Sequence, residues 1–179
     1  MNSIGAIVAV IKEGQILLTK REDFEVWCLP GGSAEDGEPL ATTAVREVFE
    51  ETGLHVCLDK LVGIYSIVQP GRGLYAAAFT AYPTGGDLTP DPGEVIDLNF
   101  FDFAHLPEPI FLNDRWAIMD AINGVGGSDV VTSHMEWPFL LSEDREEIYK
   151  KRDESGLSRQ AFYLQYFDPK TMITKKEIG

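Results

Sequence analysis

The chain predicts a layered α/β domain built on a mixed sheet. Three observations carry this. Short runs of β-branched and aromatic residues alternate with amphipathic segments. Gly, Pro, Asn and Asp cluster at the junctions between them. The apolar share of 44% with 25% charged residues is that of an ordinary globular protein, and 179 residues suffice for one well-cored domain with an appended element.

Residues 4–11 read as a buried strand, and residues 12–15 as a hairpin-type turn into a second strand over 16–19. Lys20 and Arg21 close that strand, and Arg21 is a candidate contact for substrate phosphate. Trp27, Leu29 and Pro30 lead into Gly31 and Gly32, where the missing side chains permit close ligand approach. A helix follows. Asp36, Gly37 and Glu38 punctuate its start, Pro39 suits its first position, and Gly53 suits the left-handed residue past its end. Ala41, Ala44, Val45 and Val48 recur at helical spacing and define a face for the core, leaving Glu47, Glu50 and Glu51 to share the other side.

Residues 57–67 are expected to form a strand pair or one long bent strand, ending in a turn over 69–73. Further strands are expected over 74–82 and 98–103, with an acidic loop over 83–94 between them. Residues 114–122 read as a helix packed through Trp116, Met119, Ala121 and Ile122. Beyond 128 the pattern is harder. A short strand fits within 130–139, a charged helix capped by Ser142 fits 142–153, and 157–167 fit either a helix or a strand. The expected division is a domain over 1–128 and an extension over 129–179, packed on it or on a partner subunit.

Charge narrows the function. The net charge of −14 resides in residues 1–142, with 7 Lys and Arg against 21 Asp and Glu; residues 143–179 hold 8 of each. Such a body repels a nucleic-acid backbone, and no basic patch offsets it. An anionic small molecule fits only where metal ions neutralise the site. No apolar run approaches the roughly 20 residues of a membrane helix. The run 4–11 has neither a basic leader nor a cleavage site. A cytoplasmic setting is therefore expected, with Cys28 and Cys57 as buried thiols.

Residues 32–54 crowd Glu38, Glu47, Glu50 and Glu51 around Arg46, and carboxylates this close call for a cation. Gly32, five residues, Glu38, seven residues, and then Arg46-Glu47-Val48-Phe49-Glu50-Glu51-Thr52-Gly53-Leu54 match every fixed position of the Nudix box. The approach Trp27-Cys28-Leu29-Pro30-Gly31-Gly32 is also similar to that family's. The chain resembles the Nudix hydrolases over about residues 4–122. The resemblance implies an α/β/α sandwich and magnesium- or manganese-dependent hydrolysis of a nucleoside diphosphate linked to another group. It implies Glu47 and Glu51 as chief metal ligands, with Glu50 contributing and the Gly31 carbonyl completing a site. Arg46 would orient the glutamates, and Glu38 would serve as a further ligand or a partner to the loop backbone. The general base would be a box glutamate or Glu94, in the loop before the last core strand.

Pro70, 16 residues after Leu54, resembles a proline of the subgroup acting on ADP-ribose. An ADP-sugar giving AMP and a sugar phosphate is accordingly the expected substrate, with other nucleotide sugars or (deoxy)nucleoside triphosphates as alternatives. Tyr65, Tyr75 and Phe79 are expected in the core, and His55, His105 and His134 outside the chemistry. A homodimer is the expected assembly by the same resemblance. The rival from another class is a Nudix-like binding module that has lost catalysis; such modules usually carry substituted box glutamates, and none is substituted here.

Overall fold

The computed structural model describes residues 2–178 except 113, 137, 140–142 and 168–171. Among the described residues nine strands and four helices follow in order: β1 (Asn2–Lys12), β2 (Gln15–Arg21), β3 (Trp27–Cys28), β4 (Gly31–Ser33), α1 (Leu40–Thr52), β5 (Leu54–Gln69), β6 (Arg72–Gly86), β7 (Val95–Asp102), α2 (Asp114–Ile122), β8 (Asp129–His134), α3 (Arg145–Glu154), α4 (Arg159–Tyr166) and β9 (Ile173–Ile178). Neighbouring strands run β3-β2-β1-β6-β5-β8-β9, with β4 added on β1 and β7 on β2. The sheet is mixed: β1 runs parallel to β6 and β5 parallel to β8, while the other pairings are antiparallel.

Strand β1 shows why this sequence makes a sandwich. Its side chains alternate between faces. Ala6, Val8 and Val10 pack with Ala44 and Val48 of α1. Ala9, with Ile7 beside it, joins the cluster of Ala117, Ile118 and Ala121 of α2. A strand buried on both faces needs an apolar residue at nearly every position, which residues 4–11 supply. The α/β/α layering is as expected.

A third cluster lies in the C-terminal unit, where Ile148, Phe162, Tyr163 and Phe167 enclose Phe24, Val26 and Leu112. The unit extends the sheet as well, since β8 pairs with β5 and β9 pairs with β8. Polar staples add to the packing. The buried Arg152 guanidinium donates to the Asp23 carbonyl at 2.6 Å, and Arg159 donates to the Glu22 carbonyl at 2.7 Å.

Several elements depart from expectation. Pro39 is the N-cap of α1 rather than its first helical residue. Val45 is exposed, as is Ala41, and the buried side of α1 holds Thr43, Ala44, Glu47, Val48, Glu51 and Thr52. Helix α2 has the predicted bounds but buries Asp114, Ala117, Ile118 and Ala121, leaving Trp116 and Met119 exposed. Residues 54–69 form one bulged strand. Strand β6 continues to Gly86, which shortens the acidic loop, and β7 begins at Val95. Helix α3 is capped by Asp144, which forms a capping box with Glu147; Ser142 lies outside the described residues. Residues 159–166 are helical, and β9 was not expected. Cys57 is exposed; Cys28 is buried. Among the described residues no helix is long and apolar enough to cross a membrane.

Candidate active site

A cleft of about 660 Å³ opens between α1, the β2 end and the C-terminal unit. Its floor holds Gly31, Gly32, Glu47 and Glu51, with Glu94 at one side. Helix α1 delivers the two glutamates because they share its inward arc with Ala44 and Val48. At 100° per residue Glu51 falls about 20° from Ala44, and Glu47 about 60°. Both carboxylates are therefore nearly buried, at 9% and 8% exposure. Gly53 ends the helix at φ 72°, its N–H donating to the Phe49 carbonyl at 2.8 Å. That turn hands the chain to β5 and leaves the Thr52 carbonyl to accept from Thr89 at 2.9 Å.

The same contact anchors the loop that carries Glu94. Asp91 folds it, taking the Gly93 N–H on its side chain at 2.9 Å and the Val95 N–H on its carbonyl at 2.8 Å. The Glu94 carbonyl accepts from Glu22 at 2.8 Å, which ties the loop to the β2 end. Glu94 thus comes close enough to raise the proton affinity of both Glu47 and Glu51. Asp97 is exposed on β7 and does not line the cleft.

Arg46 is the hub of the remaining acids. Its Nε and Nη2 clasp the Glu38 carboxylate at 2.9 and 2.8 Å, while Nη1 reaches Glu47 at 2.8 Å and Glu50 at 2.9 Å. Glu38 also accepts from the Glu35 N–H at 3.1 Å and the Thr43 hydroxyl at 2.9 Å. Hydrogen bonds from Arg46, then from Glu35, hold its carboxyl down at about 2. Glu38 is thereby a brace for the loop before α1. Neither Glu38 nor Glu50 lines the cleft.

The floor carboxylates behave oppositely. Burial raises Glu47, against the pull of Arg46. Burial pushes Glu51 up to about 8; Arg21 opposes this and a backbone hydrogen bond from Gly31 lowers it, while Glu47 and Glu94 add to the rise. Two adjacent, desolvated carboxylates resist ionisation unless a cation joins them. Among the described residues no group of three His, Cys, Asp or Glu stands arranged as a finished ligand set. The donors nonetheless suit a hard divalent ion: carboxylate oxygens against a glycine floor, with the Glu47 carboxylate lying where any side chain at Gly32 would sit.

Arg21 is placed in the cleft, though not as a free phosphate contact. Its Nε donates to Asp23 at 2.8 Å, and its guanidinium stacks 4.6 Å from the Phe111 ring centroid. Burial would lower its proton affinity, but Asp23 more than offsets this. Pro70 stands at the exposed tip of the β5–β6 turn and does not line the cleft. His55 stacks on Phe49 outside the cleft, and His105 and His134 are exposed elsewhere.

Tyr75 corrects another expectation: it is 37% exposed and lines the cleft; Tyr65 also borders the cleft but is buried, its hydroxyl donating to Asp120 at 2.8 Å. Phe79 packs in the α1-side core. Sequence reasoning missed Asp23, Phe111, Asp114, Arg145 and Tyr149, all of which line the cleft. Asp114 accepts the Leu29 N–H at 2.9 Å and so fixes the strand entering Gly31; burial pushes its carboxyl up to about 7. The i, i+4 spacing of Arg145 and Tyr149 was readable as a shared helix face. Nothing local indicated where that face would dock.

The fold and the carboxylate floor define a hydrolase of the Nudix class, and comparison with known proteins agrees. A NUDIX domain model matches residues 1–121, and the chain belongs to that family. Its enzyme class is that of a Nudix pyrophosphohydrolase. Members generally use divalent metal ions. A putative 8-oxo-dGTP diphosphatase of Bacillus subtilis is 37% identical over 125 residues, covering 69% of this chain and 83% of that protein. An ADP-ribose pyrophosphatase of Methanocaldococcus jannaschii is 33% identical over 109 residues, covering 58% and 64%. The solved structure of a MutT protein from Bacillus halodurans superposes with a TM-score of 0.67 at 26% identity, covering 79% of this chain and 95% of that one.

Proposed function

We propose that the cleft hydrolyses a phosphate anhydride in a nucleoside diphosphate linked to another group, with ADP-ribose or another ADP-sugar as the leading substrate and AMP and a sugar phosphate as products. The observation that carries the reading is the inward turn of Glu47 and Glu51 from one helix onto the glycine floor beside Glu94. The donors suit magnesium or manganese, which Glu47, Glu51 and the Gly31 carbonyl would hold. When bound, such an ion polarises phosphoryl oxygens and lowers the pKa of water.

The chain's own residues supply the rest. Arg46 keeps Glu47 oriented while occupying Glu38 and Glu50. Glu94, on the loop edge, is suited to accept the proton of the attacking water. The water oxygen joins one phosphorus, the bridging P–O bond breaks, and the leaving phosphate departs with the bridging oxygen. Tyr75, on the cleft lining and 37% exposed, gives an apolar surface against which a base or ribose can lie.

The second reading is a nucleoside triphosphate substrate, favoured by the Bacillus subtilis relative, whose identity is higher and alignment longer than those of the archaeal ADP-ribose pyrophosphatase. Incubation with ADP-ribose, nucleotide sugars and triphosphates plus magnesium, with product identification, separates the two. AMP and ribose phosphate from ADP-ribose support the first, and a nucleoside monophosphate with pyrophosphate supports the second. No turnover across the panel sinks both.

A further inference from the structure

Among the described residues three arginines line the cleft, and two are already paired with carboxylates. Arg21 is held by Asp23, and Arg46 by Glu38, Glu47 and Glu50. The third, Arg145, opens α3 in the C-terminal unit, beyond the residues the family model matches. Among the described residues it has no carboxylate in ion-pair contact; its guanidinium stands 5.8 Å from the Tyr149 ring centroid.

Its position also runs against the electrostatics of its own helix. Helix α3 has Glu146 and Glu147 in the first turn and Lys151 and Arg152 in the last, as the macrodipole favours. A cation at the first position is the exception. Tyr149, one turn on, is fixed by donating its hydroxyl to Asp23 at 2.8 Å, so the face carrying Arg145 is held against the cleft rather than left to swing. Asp23 already accepts from Arg21 and Tyr149, and this leaves the Arg145 fork of donors available.

We propose that Arg145 is a substrate-binding residue that grips a phosphate oxygen of the nucleotide, so that the C-terminal unit supplies an anion contact to the cleft that also holds Glu47 and Glu51. The inference rests on the reading that this cleft takes a phosphate anhydride. Within an acidic lining, a planar guanidinium with no ion-pair partner among the described residues is the group suited to phosphate oxygens. Substrates lacking charge at that point gain nothing from it.

Calorimetric titration of the whole chain with ADP and magnesium, with pyrophosphate, and with adenosine tests this. Arg145→Ala should weaken ADP and pyrophosphate binding by about 10- to 100-fold and leave adenosine binding as it was, while Arg145→Lys should recover part of the loss. Unchanged melting temperatures would show that both variants fold. On whichever substrate the panel reveals, the loss should fall mainly on KM. Binding of ADP by Arg145→Ala within twofold of the parent overturns the inference, as does a parent chain that binds neither ADP nor pyrophosphate. Weaker ADP binding by the variant without turnover of any substrate upholds the contact and sinks the hydrolase reading instead.

Discussion

The Glu47 carboxylate rests on Gly32, at 2.5 Å from where a β-carbon there would be. The far end of a flexible side chain can move aside, so Gly32→Ala should fold but push Glu47 off the floor. The expected result is a loss of at least about 100-fold in kcat/KM, of the size seen when a key charge-stabilising group is misplaced. The melting temperature should change by only a few degrees. An alanine variant with near-parental activity would show that Glu47 need not lie against the glycine.

Glu51→Gln keeps the shape and removes the charge. Turnover should fall by at least about 100-fold, since a neutral amide is a poor ligand for a hard cation. Stability should not fall with it. In the metal-free protein the raised carboxyl, at about 8, is stabilising when protonated and loses that contribution as pH rises from the ordinary carboxylate range through 8. The glutamine variant should therefore melt no lower than the parent at pH 9. Parental turnover rates would refute the role of Glu51.

Asp114 offers a second, separable pH effect. Its carboxyl sits at about 7, against an unfolded value near 4. The native state thus holds a proton that the unfolded chain releases, and stability should decline as pH rises between about 4 and 7. In Asp114→Asn the amide oxygen can still accept the Leu29 N–H, and that slope should flatten. Melting curves of both proteins across pH 4.5 to 8, without metal, provide the measurement; parallel slopes would mean that Asp114 titrates normally.

Phe162 tests whether the C-terminal unit shares the cooperative core. It is 1% exposed and stacks at 6.4 Å on Phe24 and 6.0 Å on Phe139. Phe162→Ala should cost about 3–5 kcal/mol, or roughly 10 °C in a chain of this size. A single, lower transition is expected in calorimetry. Two transitions, or a shift under about 3 °C, would mean that the unit melts independently.

Much of the first two-thirds of the fold was legible. The bounds of α2 and the left-handed Gly53 follow from local punctuation, and the box spacing located α1. Its orientation differs from the pattern for a physical reason. Burying Glu47 and Glu51 beside Ala44 and Val48 looks unfavourable when only the chain is considered, so the pattern points the acids outward and Val45 inward. The inward arc keeps Ala44 and Val48 but is rotated toward Glu47 and Glu51, which turns Ala41 and Val45 out, because the glutamates belong to a site rather than to a surface. Asp114 and Tyr149 escaped notice because their partners are distant in sequence: Leu29 for one and Asp23 for the other. No local signal reports a hydrogen bond of that reach. Arg21 was rightly placed near the cleft, but its pairing with Asp23, two residues on, changes what it can do.

The bonds from Tyr149 and Arg152 to Asp23 also carry a consequence for synthesis. The floor glutamates lie on α1, yet the wall bearing Arg145 emerges from the ribosome roughly a hundred residues later, several seconds at ordinary elongation rates. Until then Phe24 and Val26 lack their cover, and the nascent chain presents an apolar patch beside a half-built pocket. Closing the cleft and burying that patch draw on the same C-terminal unit, so a chain stalled before α4 would leave Phe24 and Val26 without Phe162 and Tyr163 and exposed to capture by chaperones.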